Sequence, residues 1–425
     1  MKKTVAIIAA LLTLSAAAAL AQPKQSEKAA AALMEDNSRA GSVTNSYEFR
    51  PVKDTRPPRG YKPFYISHYG RHGSRSNWGG RSYENVIKTM QAAKEKGILT
   101  PAGDSLMNEA QRVLDCWGGM DGHLSQRGVR EHQAIAQRMY DRYPRVFRGK
   151  KKIRAYGSMV QRCLISMNSF TIGLAKKNPK LQFRLDTGEE YQKYINPGDE
   201  WHQISGAFTK NIREYQMQFP EDTVYTMNKL FTDPEAAREF VRSPRRLMDD
   251  IYSTAMIAED WDIEENIYRY LPFDAIYKRW VYSNLDIYCH HGNSVEFGEQ
   301  TCALAEPTIQ DFIAKADEVI ASGEYAADLR FGHDHPLMKI VGYLGIEGVG
   351  ERYSMEEVCD NWLGFWNMCM ASNLQMVFYR SKRSDDILVK FLYQEQETRL
   401  RKLEPFYGPY YKWEDVKANI KGYLR

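Results

Sequence analysis

The segment Pro63-Phe64-Tyr65-Ile66-Ser67-His68-Tyr69-Gly70-Arg71-His72-Gly73-Ser74-Arg75 decides how this chain is read. Its first half is short, apolar and aromatic, the composition of a buried strand. The second half, Arg71-His72-Gly73-Ser74-Arg75, then stands at the carboxyl end of that strand, where open α/β sheets place their ligands. Two permanent cations beside an imidazole disfavour a third positive charge, so His72 is expected to be neutral and nucleophilic. The same arginines can grip a dianion such as a phosphoryl group through guanidinium forks. Gly73 lets the backbone turn closely past such a ligand.

Outward from this segment, apolar residues recur at helical spacing over 83–93 and 127–143. Residues 152–156 read as a second strand and 159–174 as a helix. The alternation predicts an α/β fold: a Rossmann-like, mostly parallel sheet flanked by helices. From 186 to 324 strand-like runs nearly vanish, and helical patterns occupy 207–217, 234–242, 247–259, 275–288 and 297–320. This stretch reads as a largely α-helical cap inserted into a catalytic α/β domain formed by 61–185 and 325–425. A strand at 327–331 then leads into Gly332-His333-Asp334-His335-Pro336-Leu337. Residues 374–380 and 387–393 follow as strands of the same sheet, with a hairpin turn expected across 383–386.

A chain of 425 residues with 43% hydrophobic and 26% charged residues is neither a fibre, a disordered tail nor a polytopic membrane protein. The formal charge of +4 and the absence of long basic runs exclude a nucleic-acid partner. Lys2 and Lys3, an apolar stretch from Val5 to Leu20, and Ala19-Leu20-Ala21 form the pattern of a signal peptide, residues 1–21, cleaved after Ala21. The apolar stretch is shorter than the ~20 residues a membrane span needs. The expected location is therefore periplasmic or secreted, without stable membrane insertion after cleavage. Residues 22–60, polar and then Pro-rich, read as an N-terminal arm. Cys116, Cys163, Cys289, Cys302, Cys359 and Cys369 contain no CxxC spacing, which sets structural zinc aside. An exported chain permits one or two disulfides, with Cys289–Cys302 the candidate pair.

In order and spacing, these motifs resemble the histidine acid phosphatases, the two-domain branch of the histidine phosphatase superfamily, and within it the phytases and multiple inositol-polyphosphate phosphatases. Arg71-His72-Gly73-Ser74-Arg75 is similar to the family's signature. Gln161-Arg162-Cys163, on the helix after the second strand, resembles the segment carrying a third phosphate-binding arginine. Leu124-Ser125-Gln126-Arg127-Gly128 is similar to the turn that opens the intervening helix, and His333-Asp334 resembles the family's HD pair. The resemblance spans 60–400. It implies that His72 is the nucleophile of a phosphohistidine mechanism and that Asp334 is the general acid and base. It further implies that Arg71, Arg75, Arg162 and a protonated His333 bind the phosphate, with an optimum on the acid side of neutral. Neither metal nor other cofactor is expected, since guanidinium groups supply the charge. The implied partner is a small-molecule phosphomonoester, foremost an inositol polyphosphate such as phytate. A nonspecific acid or sugar-phosphate phosphatase is the alternative. A non-catalytic phosphate- or phytate-binding protein would keep the arginines but have no use for His72 and Asp334.

The pattern departs from the family at one point: His335 stands where phytases carry threonine. Arg81, Lys278 and Arg279 are candidates for binding further phosphates. His290 and His291 suggest zinc ligands or, more simply, a wall of the cap. On its own, Asp334 can be a helix N-cap and Arg162 a solvated helix residue. Only their combination with the signature at 71–75 gives them a chemical role.

Overall fold

Strands β1 (Lys62–Arg71), β2 (Lys152–Gly157), β3 (Gln182–Asp186) and β4 (Tyr325–Gly332) run parallel in the spatial order β3-β2-β4-β1. The sheet continues antiparallel through β5 (Asn373–Ser381), β6 (Ser384–Tyr393) and β7 (Gln396–Thr398), and β8 (Tyr410–Lys412) also pairs with β6. The computed structural model describes residues 24–197 and 201–421, and the expected signal peptide lies outside them. Parallel strands emerge on the same edge. Arg71 lies opposite Gly332, and Gly157 opposite Phe331, so the residues that follow β1, β2 and β4 meet at one place. The amide of His72 donates to the Gly332 carbonyl at 2.9 Å, and that of Ser158 to the Phe331 carbonyl at 2.9 Å.

One face of the sheet is dry. Ala327, Leu329 and Phe331 of β4 pack with Ile135 and Met139 of the helix Gln126–Arg142 and with Phe170 of the helix Gln161–Lys177. The opposite face carries buried charge. Asp328 and Arg330 are two residues apart and so share a face. Arg154 of β2 meets Asp328 at 2.6 Å, and Arg330 meets Asp311 at 2.6 Å. Arg154 also reaches Glu318 at 2.8 Å, on the same helix, Glu306–Ser322, as Asp311. These pairs fix that helix on the sheet next to the strand that carries the HD pair.

A helical layer covers the site side of the sheet. Its helices Arg81–Glu95, Pro101–Trp117, Pro244–Ala258 and Phe273–His291 share one apolar core with the N-terminal arm. The arm is itself helical over Glu27–Glu35 and Asn37–Thr44, with Ser26 accepting the Ala29 amide as a cap. Tyr252 ties it down by donating to the Ala40 carbonyl.

Several sequence expectations change in detail. The β5–β6 hairpin turns at Lys382-Arg383 rather than across 383–386. The helix expected over 297–320 is two, Gly298–Ala303 and Glu306–Ser322, and Pro307 sits in the first turn of the second, where its missing amide costs nothing. Only Pro234–Ala237 of the expected 234–242 helix forms, and the helix Pro101–Trp117 was not anticipated. No disulfide forms: all six cysteines are free, and five of them, Cys289 and Cys302 included, are buried as core residues.

Asp328 is fully buried and holds Arg154 and the Tyr65 hydroxyl. Replacing it by alanine leaves the buried Arg154 guanidinium without its buried carboxylate, with only the partly exposed Glu318 still paired to it. Asp328→Ala should cost about 3–5 kcal/mol in urea unfolding. Unchanged stability would show that the buried charges do not hold the sheet.

Candidate active site

Arg71 ends β1 with its side chain almost wholly buried. Its Nη1 donates to the carbonyls of Val43, from the arm, and Met368 (2.6 Å), while Nη2 meets Asp334 Oδ2 at 2.6 Å. His72 follows, and its Nδ1 lies 2.9 Å from the Gly73 carbonyl. A carbonyl can only accept, so Nδ1 carries the ring proton and Nε2 keeps its lone pair. Burial, and then the cations Arg71 and Arg162, hold the His72 pKa far below the ordinary imidazole value. This agrees with the neutral, nucleophilic state expected from the flanking arginines.

The loop after His72 is fixed from below. A Cβ on Gly73 would stand 2.7 Å from Gly128 Cα, and one on Gly128 would stand 2.3 Å from the Ser74 carbonyl oxygen, so both positions require glycine. Ser125 caps the helix Gln126–Arg142 by accepting the Gly128 amide, and its hydroxyl donates to the Ser74 carbonyl. Glu131, one turn further on, accepts from both the Ser74 amide and the Ser74 hydroxyl at 2.8 Å. Behind it, Ser74, Ser46 and Asp260 form a buried chain that joins loop, arm and helical layer. Burial pushes the Asp260 carboxyl well above its usual range.

Arg162 is buried in the first turn of the helix Gln161–Lys177, whose cap residue Val160 offers no side-chain acceptor. Such a helix start favours a negative charge. Arg162 Nη2 lies 3.3 Å from His333 Nδ1, and His333 Nε2 lies 3.2 Å from the Ser158 hydroxyl. The rings of His72 and His333 are 5.6 Å apart, centroid to centroid. Arg75 packs beside them, and burial, with Arg71 and Arg162 adding to it, lowers its pKa to about 10. The Nε atoms of Arg71, Arg75 and Arg162 are all buried without a hydrogen-bond partner. Asp334 begins the helix Asp334–Leu344, with His333 and not Asp334 in the cap position. Burial alone would raise the Asp334 pKa, but Arg71 and then His335 outweigh it and hold the carboxyl well below its ordinary value. The structure thus brings all six sequence-predicted residues, Arg71, His72, Arg75, Arg162, His333 and Asp334, to one edge of the sheet.

The profile of the histidine phosphatase superfamily, branch 2, matches residues 70–394. The chain belongs to that superfamily. Within it, the chain is a histidine acid phosphatase in type, a phosphomonoesterase. Among solved structures it is similar to the Bifidobacterium longum multiple inositol polyphosphate phosphatase in complex with phosphate, with a TM-score of 0.73 at 17% identity over 90% of this chain and 97% of that one. The same enzyme in complex with inositol hexasulfate gives a TM-score of 0.72 at 16% identity over the same shares. The phytase from D. castellii gives 0.63 at 11% identity, over 91% of this chain and 85% of that one. At these identities the likeness is one of fold. A search of curated proteins by sequence found no match.

Two cations named from sequence do not join the phosphatase site. Lys278 and Arg279 are buried in the helical layer, where Arg279 meets Glu221 at 2.6 Å and Asp249 at 2.8 Å, and Lys278 donates to the Phe219 carbonyl. Arg81 is exposed at the start of the helix Arg81–Glu95. Among the described residues, no group of three or more His, Cys, Asp or Glu is placed to hold a metal ion. His291 instead stacks on His335, with centroids 4.0 Å apart and planes 12° apart, and His335 Nε2 lies 3.2 Å from Asp334 Oδ1. His290 pairs with Asp286 at 3.1 Å. Sequence reasoning missed Glu131 and Ser166, although both lie one turn beyond recognised residues, Gly128 and Arg162, on the same helix faces. Ser166 accepts the Gly73 amide at 3.1 Å. Trp78 was missed as well.

A protonated His333 is expected beside a bound phosphate; the protein's own groups act the other way. Burial, and then the Arg162 cation, bring its pKa to about 3. His68 and His132, deep under the sheet edge, are also depressed to about 3 by burial. Histidines held neutral by the fold but not by the unfolded chain make stability depend on pH. It is complete above the unfolded pKa of about 6.5 and is lost as pH falls towards 3, because only the unfolded state takes up the protons. Asp334 acts in the same direction, since its depressed pKa adds stability that disappears in acid. The melting temperature should therefore fall by several degrees from pH 7 to pH 5, and inorganic phosphate should reduce that fall by pairing with an imidazolium in the site. A melting temperature flat over this range would contradict the burial argument.

Proposed function

We propose that this chain is an exported phosphatase that cleaves phosphomonoesters through a phosphohistidine on His72. The observation that carries this reading is the placement of His72: Nδ1 lies 2.9 Å from the Gly73 carbonyl, which leaves Nε2 free beside the buried Arg71 and Arg162 and the half-buried Arg75. Nε2 attacks phosphorus in line, the P–O ester bond breaks, and the leaving oxygen takes a proton from Asp334. Water then gives a proton back to Asp334 as its oxygen displaces the imidazole, which releases inorganic phosphate. Arg71, Arg75 and Arg162 spread over the equatorial oxygens and stabilise their charge.

Asp334 must be protonated to act first as an acid, and the Arg71 ion pair opposes that. A phosphate dianion on Arg71 competes for the same guanidinium and adds negative charge beside the carboxyl. Both effects raise the Asp334 pKa when substrate binds. The same dianion favours protonation of His333. Catalysis on the acid side of neutral follows from this coupling.

For the substrate we propose inositol polyphosphates, phytate among them. Solved structures similar to this one in fold include a multiple inositol polyphosphate phosphatase in complex with inositol hexasulfate, and a phytase. One observation favours the second reading, a small sugar phosphate or nonspecific phosphomonoester. Lys278 and Arg279 are committed to carboxylate and carbonyl groups of the helical layer, which leaves fewer cations for further phosphates. Steady-state kinetics on phytate, glucose 1-phosphate and p-nitrophenyl phosphate distinguish the two, and a kcat/KM for phytate below both of the others would overturn the first.

The mechanism makes a sharper prediction. His72→Ala should reduce hydrolysis to background with every substrate. Asp334→Asn should lower kcat/KM, which reports formation of the phosphohistidine, by about 10²–10⁴-fold for an alkyl phosphate but much less for p-nitrophenyl phosphate, because nitrophenolate leaves without a proton. Equal losses on both substrates would remove Asp334 from the role of proton donor.

A further inference from the structure

Arg71 is neutralised by Asp334, but Arg75 and Arg162 form no ion pair with a carboxylate among the described residues. Their protein contacts are few. Arg75 donates to the Ser76 carbonyl, Arg162 approaches His333, and the Nε of each is buried without a partner. Burial lowers both pKa values, Arg75 to about 10, and each arginine lowers the other or is lowered by Arg71. Two such cations side by side would ordinarily swing apart into solvent.

What they share is an indole. The Arg75 guanidinium carbon lies 5.3 Å from the Trp78 ring centroid, and that of Arg162 lies 4.9 Å away, both within cation–π range. Trp78 is 61% exposed, a high value for so large an apolar side chain. It is nonetheless well braced. The Gly122 amide donates to the Asn77 carbonyl and the Gly79 amide to Asp121, and a Cβ on Gly122 would come within 2.8 Å of the ring. The Ser76 amide bonds the His123 carbonyl in the same pair of loops. The loop therefore carries an aromatic face to the rim of the site instead of burying it in the core.

We propose that Trp78 is a positioning residue of the phosphate site: its ring holds Arg75, from the loop after β1, and Arg162, from a separate helix, at the spacing a phosphoryl group requires. The aromatic quadrupole attracts both cations without the full negative charge of a carboxylate, which would compete with the substrate for them. A carboxylate at this place would turn an anion site into a closed ion pair. This role rests on the phosphatase reading of the site, and phosphate binding tests it independently of turnover.

The test is the affinity for inorganic phosphate, measured by calorimetry and as competitive inhibition of p-nitrophenyl phosphate hydrolysis, in wild type, Trp78→Ala and Trp78→Phe. Trp78→Ala should weaken phosphate binding about tenfold and raise KM in parallel, with kcat altered less, and Trp78→Phe should restore most of the affinity. The wild-type tryptophan emission should change on adding phosphate, and the change should shrink in Trp78→Phe. Thermal unfolding of both variants should match wild type, since the ring lies at the surface. Phosphate affinity within twofold of wild type in Trp78→Ala would overturn this inference alone. Failure of the wild type to bind phosphate would overturn it together with the phosphatase reading.

Discussion

The structure depends on keeping like charges together. Arg71 and Arg75 from one segment and Arg162 from another come to one edge of the sheet, beside two imidazoles, and most of this group is buried. Such an assembly is unstable unless the fold compensates it. The compensation is distributed. Asp334 and two backbone carbonyls take Arg71, Trp78 spans Arg75 and Arg162, and burial keeps His72 and His333 neutral. Helix starts at Gln161 and Asp334 add partial positive charge at the same edge, so the site as a whole favours a dianion.

The supporting layers serve this arrangement. Parallel β1, β4 and β2 bring three chain segments to adjacent positions by register alone. Glu131 and Ser166 fix the backbone around Gly73, so that a one-residue turn places Nε2 of His72 rather than leaving it to side-chain freedom. The arm contributes in the same way, since the Val43 carbonyl binds Arg71 and Ser46 joins the chain to Asp260. Residues that read only as an arm in sequence thus hold Arg71 in place.

The α/β class and the meeting of six residues at one sheet edge were legible because they depend on local patterns: a strand followed by Arg-His-Gly-Ser-Arg, a helix starting at Gln-Arg, a strand followed by His-Asp. The same local reading failed wherever a long-range partner decides the outcome. Lys278 and Arg279 look like spare cations until Glu221 and Asp249 are placed beside them. His291 resembles a zinc ligand until His335, from another helix, is found stacked on it. Cys289 and Cys302 resemble a disulfide by spacing, yet each is buried as a free thiol. Trp78 carries no sequence signal, because its meaning lies in two guanidiniums, one of them 84 positions further along the chain.

The central claim is that His72 bears the phosphoryl group during turnover. It is tested most directly by mixing Asp334→Asn enzyme with radiolabelled p-nitrophenyl phosphate, whose leaving group needs no proton, quenching within milliseconds in alkaline detergent, where phosphohistidine survives, and mapping the label by mass spectrometry. The account predicts one labelled peptide, containing Arg71-His72-Gly73, with the phosphate on His72 and none in His72→Ala. Turnover without a labelled protein, or a label on another residue, would contradict it.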